Sequence, residues 1–261
     1  TVLYQNKYLW NRITSIATKD FIIEHLDYDW DWSILTHRFC NDINIKSLGN
    51  PKWIDKWDWE YLSNHLDLIL IQENLNVYTH YWFWDIISTR LSSEFISQNI
   101  QLYKDYWNWK IIAKRLNSEF VCQNLSSYQE YWDWNYFSMN LSIECIQDNI
   151  DKCLQFWDWR IITERLSPKF IVKSLIKYRE YWDWETVVNN KLEEDNIIQE
   201  GILQNLAQCF ILLSEDLRDS YWSTITRKIS INKLEKLIAN TYDLSEYFWD
   251  YKYLYDHRHF N

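Results

Sequence analysis

Apolar residues return along this chain at helical intervals, inside a block that itself repeats. Counting from one tryptophan of each block as position 0, apolar side chains stand at +2, +3 and +7, as in Ile86, Ile87 and Leu91 or Ile161, Ile162 and Leu166. They stand again at +11, +12, +16 and +19, as in Phe95, Ile96, Ile100 and Tyr103. Each set is the stripe of one short helix, because residues three and four apart share a helix face. Between the stripes, at +8, come Ser92, Asn117, Ser142 and Ser167, the last followed by Pro168. A hydroxyl followed by proline marks an N-cap and a first helical residue. The pattern predicts a first helix, A, of about 9 residues and a second, B, of about 11, ~13–17 Å long and too short to persist alone in water.

Aromatic residues set the block length. A leading Trp falls at Trp57, Trp82, Trp107, Trp132, Trp157 and Trp182, each 25 residues after the last, and the position-0 Trp follows at Trp59, Trp84, Trp109, Trp134, Trp159 and Trp184. Upstream, Trp30 and Trp32 precede Trp57 and Trp59 by 27 residues, with Gly49 and Pro51 in the longer connection, and Trp10 reads as a position-0 Trp without its partner. Downstream, Trp222 follows Trp184 by 38 residues, 13 more than the period, and the segment 248–254 opens a further unit. A fixed period of this size is the mark of a repeat architecture. The expectation is an all-α chain: a solenoid of ~25-residue helix-turn-helix repeats stacked into a superhelix. It forms a single domain over 1–261, with a partial unit at 1–29, regular repeats at 30–184, an irregular extended unit at 185–219 and divergent units at 220–261. Helices this short offer few core positions, so large rings that bury ~150–250 Å² each are expected to fill the gaps. They are expected to stack as columns, Trp57 to Trp182, Trp59 to Trp184 and Tyr81 to Tyr181.

Two polar columns interrupt the apolar pattern. Position +6 carries Arg38, His65, Arg90, Arg115, Asn140, Arg165 and Asn190; at roughly 100° per residue it falls between apolar +2 and +3. One reading lays the guanidinium over a Trp face or pairs it with Glu94, Glu119 or Glu144. The other makes Arg38, Arg90, Arg115 and Arg165 a ligand-binding line for carboxylates or phosphates. Position +15 carries Asn74, Asn99, Asn124 and Asn149, then Ser174; the amides are expected to satisfy backbone groups at the next W-x-W turn, since a buried amide needs partners, with direct ligand contact as the alternative. Small residues at +4 (Ser63, Ser88, Ala113, Ser138, Thr163) are read as allowing close helix approach, without the His and carboxylate partners of a catalytic serine.

Composition narrows the function classes. The 261 residues are 47% hydrophobic and 18% aromatic, with only 2 Gly and 2 Pro, which leaves no room for phosphate-cradling glycine loops or flexible linkers. A formal charge of −10 argues against a general phosphate-neutralising surface for nucleic acid. The five cysteines, Cys40, Cys122, Cys145, Cys153 and Cys209, are odd in number and lack C-x-x-C spacing, so they suggest neither a disulfide framework nor a zinc site and read as small core side chains. His257, His259 and Asp256 read as a polar tail rather than a metal site, and no cofactor motif is present. No apolar run approaches the roughly 18 residues of a membrane span, and the chain reads as cytoplasmic, with no membrane partner. The extended unit at 185–219 holds an apolar cluster, Cys209 to Leu213, that either docks a partner or caps the array.

The unit YWDWxxIxxRLSxEFIxxNLxxYxEYWDW resembles the W-x-W helical repeats found in proteins of giant viruses and of some bacteria, over residues 10–192 closely and 220–254 loosely. It departs from their commonest pattern in having RLSxEF where an Asn-Pro or Leu-Pro-Trp segment joins the helices. The resemblance implies the architecture and, where viral, a host cytoplasm; it implies no activity. The function expected from the residues is a non-catalytic scaffold recognising a protein or peptide through a concave surface. The alternative is a small-ligand or nucleotide sensor built on the arginine and aromatic columns, regulating an effector.

Overall fold

The computed structural model describes residues 7–40 and 52–191, with Gly201, Asn205, Tyr221, Thr224 and Ile225 beyond them. The connection holding Gly49 and Pro51, Trp222, Cys209, the histidines near the C-terminus and nearly all of the units expected after 191 lie outside the described residues. Those described are all-helical, and none of them forms a strand. Helices α1 (Lys7–Ile16) and α2 (Lys19–Glu24) make the first pair, and α3 (Trp32–Phe39) opens the second repeat. Pairs follow at α4 (Trp59–His65) with α5 (Leu68–Asn74), α6 (Trp84–Arg90) with α7 (Ser93–Asn99), and α8 (Trp109–Ala113) with α9 (Ser118–Asn124). Then come α10 (Trp134–Asn140) with α11 (Ile143–Asn149), α12 (Trp159–Arg165) with α13 (Pro168–Ser174), and α14 (Trp184–Thr186).

The A helices begin where the W-x-W motif predicts. Its middle residue is the N-cap: the side chain of Asp58 accepts from the Tyr61 N–H at 2.9 Å, Asn108 from Ile111 at 3.1 Å and Asp158 from Ile161 at 3.2 Å. This satisfies one donor that the first turn leaves unpaired. Phe83 holds the same position and makes no side-chain cap. Helix B starts the same way, with Ser92, Ser142 and Ser167 accepting from Phe95, Cys145 and Phe170 at 3.1, 3.2 and 3.3 Å. Both helices are shorter than the apolar stripes predict. Each runs seven residues in α6, α7, α12 and α13. The stripe overruns the helix because Leu91 and Leu166, though buried, are already extended and lead into the next cap.

The chain divides into two compact units, Thr1–Val121 and Cys122–Asn261. In the first, α1, α3, α4, α6 and α8 each lie against the next in line; in the second, α10 lies against α12 and α12 against α14. The cores are built from +3, +7, +12 and +16. Ile87, Leu91 and Ile96 of one repeat, and Ile162, Leu166, Ile171 and Leu175 of another, are at most 1% exposed.

The rings pack in an order the columns do not predict. Rather than stacking on its own kind, the position-0 Trp of one repeat meets the leading Trp of the next almost at right angles. Trp59 and Trp82 lie 5.1 Å apart at 89°, Trp84 and Trp107 5.0 Å at 90°, and Trp159 and Trp182 5.2 Å at 88°. The aromatic residue before that leading Trp lies more nearly parallel to the same indole, as Tyr81 does to Trp59 and Phe156 to Trp134. Edge-to-face and offset contacts suit the ring quadrupoles better than like-on-like stacking. The two indoles also differ in polarity. Nε1 of Trp59, Trp84 and Trp159 donates at 2.8 Å to Ile54, Thr79 and Leu154, five residues upstream. Nε1 of Trp82, Trp157 and Trp182 is buried with no hydrogen-bond acceptor among the described residues.

Replacing the indole N–H by the isosteric sulfur of 3-benzothienylalanine separates these roles. At Trp84 the change is expected to cost about 1–2 kcal/mol, the loss of a buried hydrogen bond with its acceptor left unpaired, and at Trp82 to be near neutral. Urea midpoints of the two variants check the difference.

Candidate functional site

The four arginines proposed as ligand contacts all reach backward along the repeats. Arg90 donates through Nη1 to the carbonyl of Ser63 at 2.5 Å and through Nη2 to that of Leu66 at 2.8 Å. Arg165 does the same to Ser138 and, at 2.6 Å, to Leu141. Arg38 donates to Thr14 and, at 2.9 Å, to Ala17, and Arg115 donates to Ser88. The acceptors are always +4, in the last turn of the preceding A helix, or +7, the residue just past its end, where carbonyls have no partner within the helix. A cation there also meets the negative end of the helix. These guanidiniums go to backbone carbonyls, not to Glu94 or Glu144; Arg38 also lies 4.8 Å from the ring of Phe39. Burial lowers the Arg90 pKa, opposed by Cys40 and Asp67. His65 and Asn140 hold the same position and turn to their own helices, at the carbonyls of Tyr61 (3.0 Å) and Tyr136 (2.8 Å).

A second link runs forward. The +4 hydroxyl accepts from the backbone N–H of the next repeat's N-cap residue: Ser63 from Phe83, Ser88 from Asn108 and Ser138 from Asp158, all at 3.0 Å, and Thr36 from Asp58 at 3.1 Å. Sequence reasoning took these residues only as small. The signal was their chemistry, hydroxyls in place of alanine at all but one regular repeat. The +15 asparagines differ from expectation too. Asn74, Asn99 and Asn149 donate to carbonyls four residues back in their own helices, at 2.9, 2.9 and 3.0 Å, and do not serve the next W-x-W turn. An amide at a helix end meets its own orphan carbonyls first, because they are nearest.

The cysteine expectation is corrected in part. Cys122 and Cys145 are joined by a disulfide, with Cα atoms 5.7 Å apart. A separation of 23 residues, two short of the period, sets +13 of one B helix beside +11 of the next. That relation to the period, not motif spacing, was the readable sign. Cys40 and Cys153 are buried free thiols, and burial raises the pKa of both.

Among the described residues no group of His, Cys, Asp and Glu is placed to hold a metal ion, and no helix is long and apolar enough to cross a membrane. The chain matches no protein-family model, no curated protein and no solved structure.

Removing one guanidinium leaves two helix-end carbonyls without their donor. Arg165→Met is expected to lower stability by about 1.5–3 kcal/mol, and Arg165→Lys to recover little, because one ammonium is a point donor rather than a planar fork. Urea unfolding measures both; an unchanged midpoint in Arg165→Met contradicts the assignment.

Proposed function

We propose that this chain is a non-catalytic repeat scaffold whose helix pairs stack into a superhelical solenoid and recognise a protein or peptide through its concave surface. Membership in the W-x-W repeat group it resembles belongs to the same proposal. One observation carries the reading: buried core positions repeat their chemistry, while the exposed +1 residues that open each A helix change from repeat to repeat. The buried +3 and +12 residues are apolar, and the buried +4 residue is a hydroxyl at all but one regular repeat. The exposed +1 residues, in contrast, run Ser33, Glu60, Asp85, Lys110, Asn135 and Arg160. A constant frame with a varied surface is how quasi-one-dimensional proteins separate stability from recognition. Exposed B-helix residues include Glu73, Glu94, Glu144 and Asp148, which with the net charge of −10 favour a basic partner.

A small-ligand sensor built on Arg38, Arg90, Arg115 and Arg165 is the competing reading. It requires those guanidiniums to turn from helix-end carbonyls to a ligand, with the loss of stability that follows.

Selection of peptides from a random displayed library tests the proposal on the purified chain. Basic peptides are expected to be enriched, to bind more weakly as salt rises, and to lose affinity when Glu94 and Glu144 become Lys while the melting temperature holds. Failure to enrich any peptide, with a thermal shift on adding nucleotides that Arg90→Lys abolishes, overturns the scaffold in favour of the sensor.

A further inference from the structure

We propose that the Cys122–Cys145 disulfide is a reversible redox site, cleaved in the folded protein by a dithiol, and that its reduction loosens helix α9 from helix α11. Other B-helix pairs do without such a bond. The residues equivalent to Cys122 and Cys145 are Gln72 and Phe95, Ser97 and Phe120, and Gln147 and Phe170. The dithiol form therefore keeps the fold, since its neighbours hold it with no covalent link.

What the reduced form lacks is the ring. Cys145 stands where Phe95, Phe120 and Phe170 place half-buried phenyl groups, and a thiol buries far less apolar surface than a phenyl. The same repeat pair also departs from the polar pattern: Ala113 at +4 has no hydroxyl, and Asn140 at +6 has no guanidinium and donates to Tyr136 of its own helix.

Access favours attack at one sulfur. Cys122 is half-buried, whereas Cys145 is 6% exposed. A thiolate of the dithiol attacks Sγ of Cys122, the Cys122–Cys145 bond breaks, and Cys145 leaves as a thiolate that takes up a proton. The second thiol of the reagent then displaces Cys122, which is protonated in turn, and the reagent departs as its own disulfide. Two electrons pass from dithiol to cystine. Glutathione disulfide reverses the change and leaves as two molecules of glutathione. The buried thiols Cys40 and Cys153, 4% and 1% exposed, are shielded from exchange.

Full-length protein equilibrated with glutathione disulfide or dithiothreitol, without denaturant, gives the test. Alkylation and mass spectrometry are expected to find Cys122 and Cys145 blocked in the first buffer and modified in the second, with far-UV circular dichroism unchanged. Amide exchange over 118–150 is expected to speed up roughly ten- to a hundredfold on reduction and to recover on reoxidation. Cys145→Phe, which restores the ring, should show slow exchange in both buffers; Cys122→Ser should show fast exchange in both. Thiols that stay alkylatable in glutathione disulfide, a bond that opens only in denaturant, or exchange that ignores reduction would each overturn the proposal.

Discussion

A helix of seven residues closes so few of its own backbone hydrogen bonds that it holds its shape only if something else completes them. That constraint organises the rest of this fold. The completing groups come from adjacent repeats. An arginine reaches back to the last carbonyls of one A helix, and a hydroxyl on that helix takes the N–H that opens the next. Both ends of the joint are polar, and both are anchored to backbone. Side-chain to backbone contacts fix one repeat's register against the next, because the acceptors occur at set places in each helix rather than anywhere along it.

The aromatic rings fill the space the staples define. The indoles of Trp59, Trp84, Trp134 and Trp159 each touch a leading Trp edge-on and, lying more nearly parallel, the aromatic residue before it, so one ring holds two consecutive rings of the next repeat's opening turn. The pairing explains why the motif needs two tryptophans and not one. The position-0 Trp spends its N–H tying down the connection from the preceding B helix, while the leading Trp contributes area and edge. Four buried apolar positions per repeat complete a core that pairs of such short helices could not build alone.

The sequence declared the period, the two-helix unit and both sets of caps, because those follow from residue type at fixed spacing. Asp58 before Trp59 and Ser167 before Pro168 needed no tertiary knowledge. Contacts between repeats were harder to read. A column of arginines at +6 was visible, yet its partners were carbonyls, which every residue carries and no sequence marks. The hydroxyls at +4 looked like spacers for the same reason. Helix length was overestimated because Leu91 and Leu166 are buried after the helix has ended, so the apolar stripe outlasts the hydrogen bonds. The Cys122–Cys145 bond follows no motif spacing; its only mark in the sequence is a separation two residues short of the repeat.

Function follows from what the joint leaves over. The arginines at +6, the hydroxyls at +4 and the indoles at position 0 hydrogen-bond to backbone, so on the scaffold reading recognition falls to the variable +1 positions. Helices this short require that no repeat be helical without its neighbours. Circular dichroism of a peptide covering 82–106, beside a fragment covering 1–116 and the whole chain, tests it most directly. The single-repeat peptide should be a coil at low temperature, and the longer fragment should regain helix; a peptide 82–106 as helical per residue as the long fragment would contradict the account.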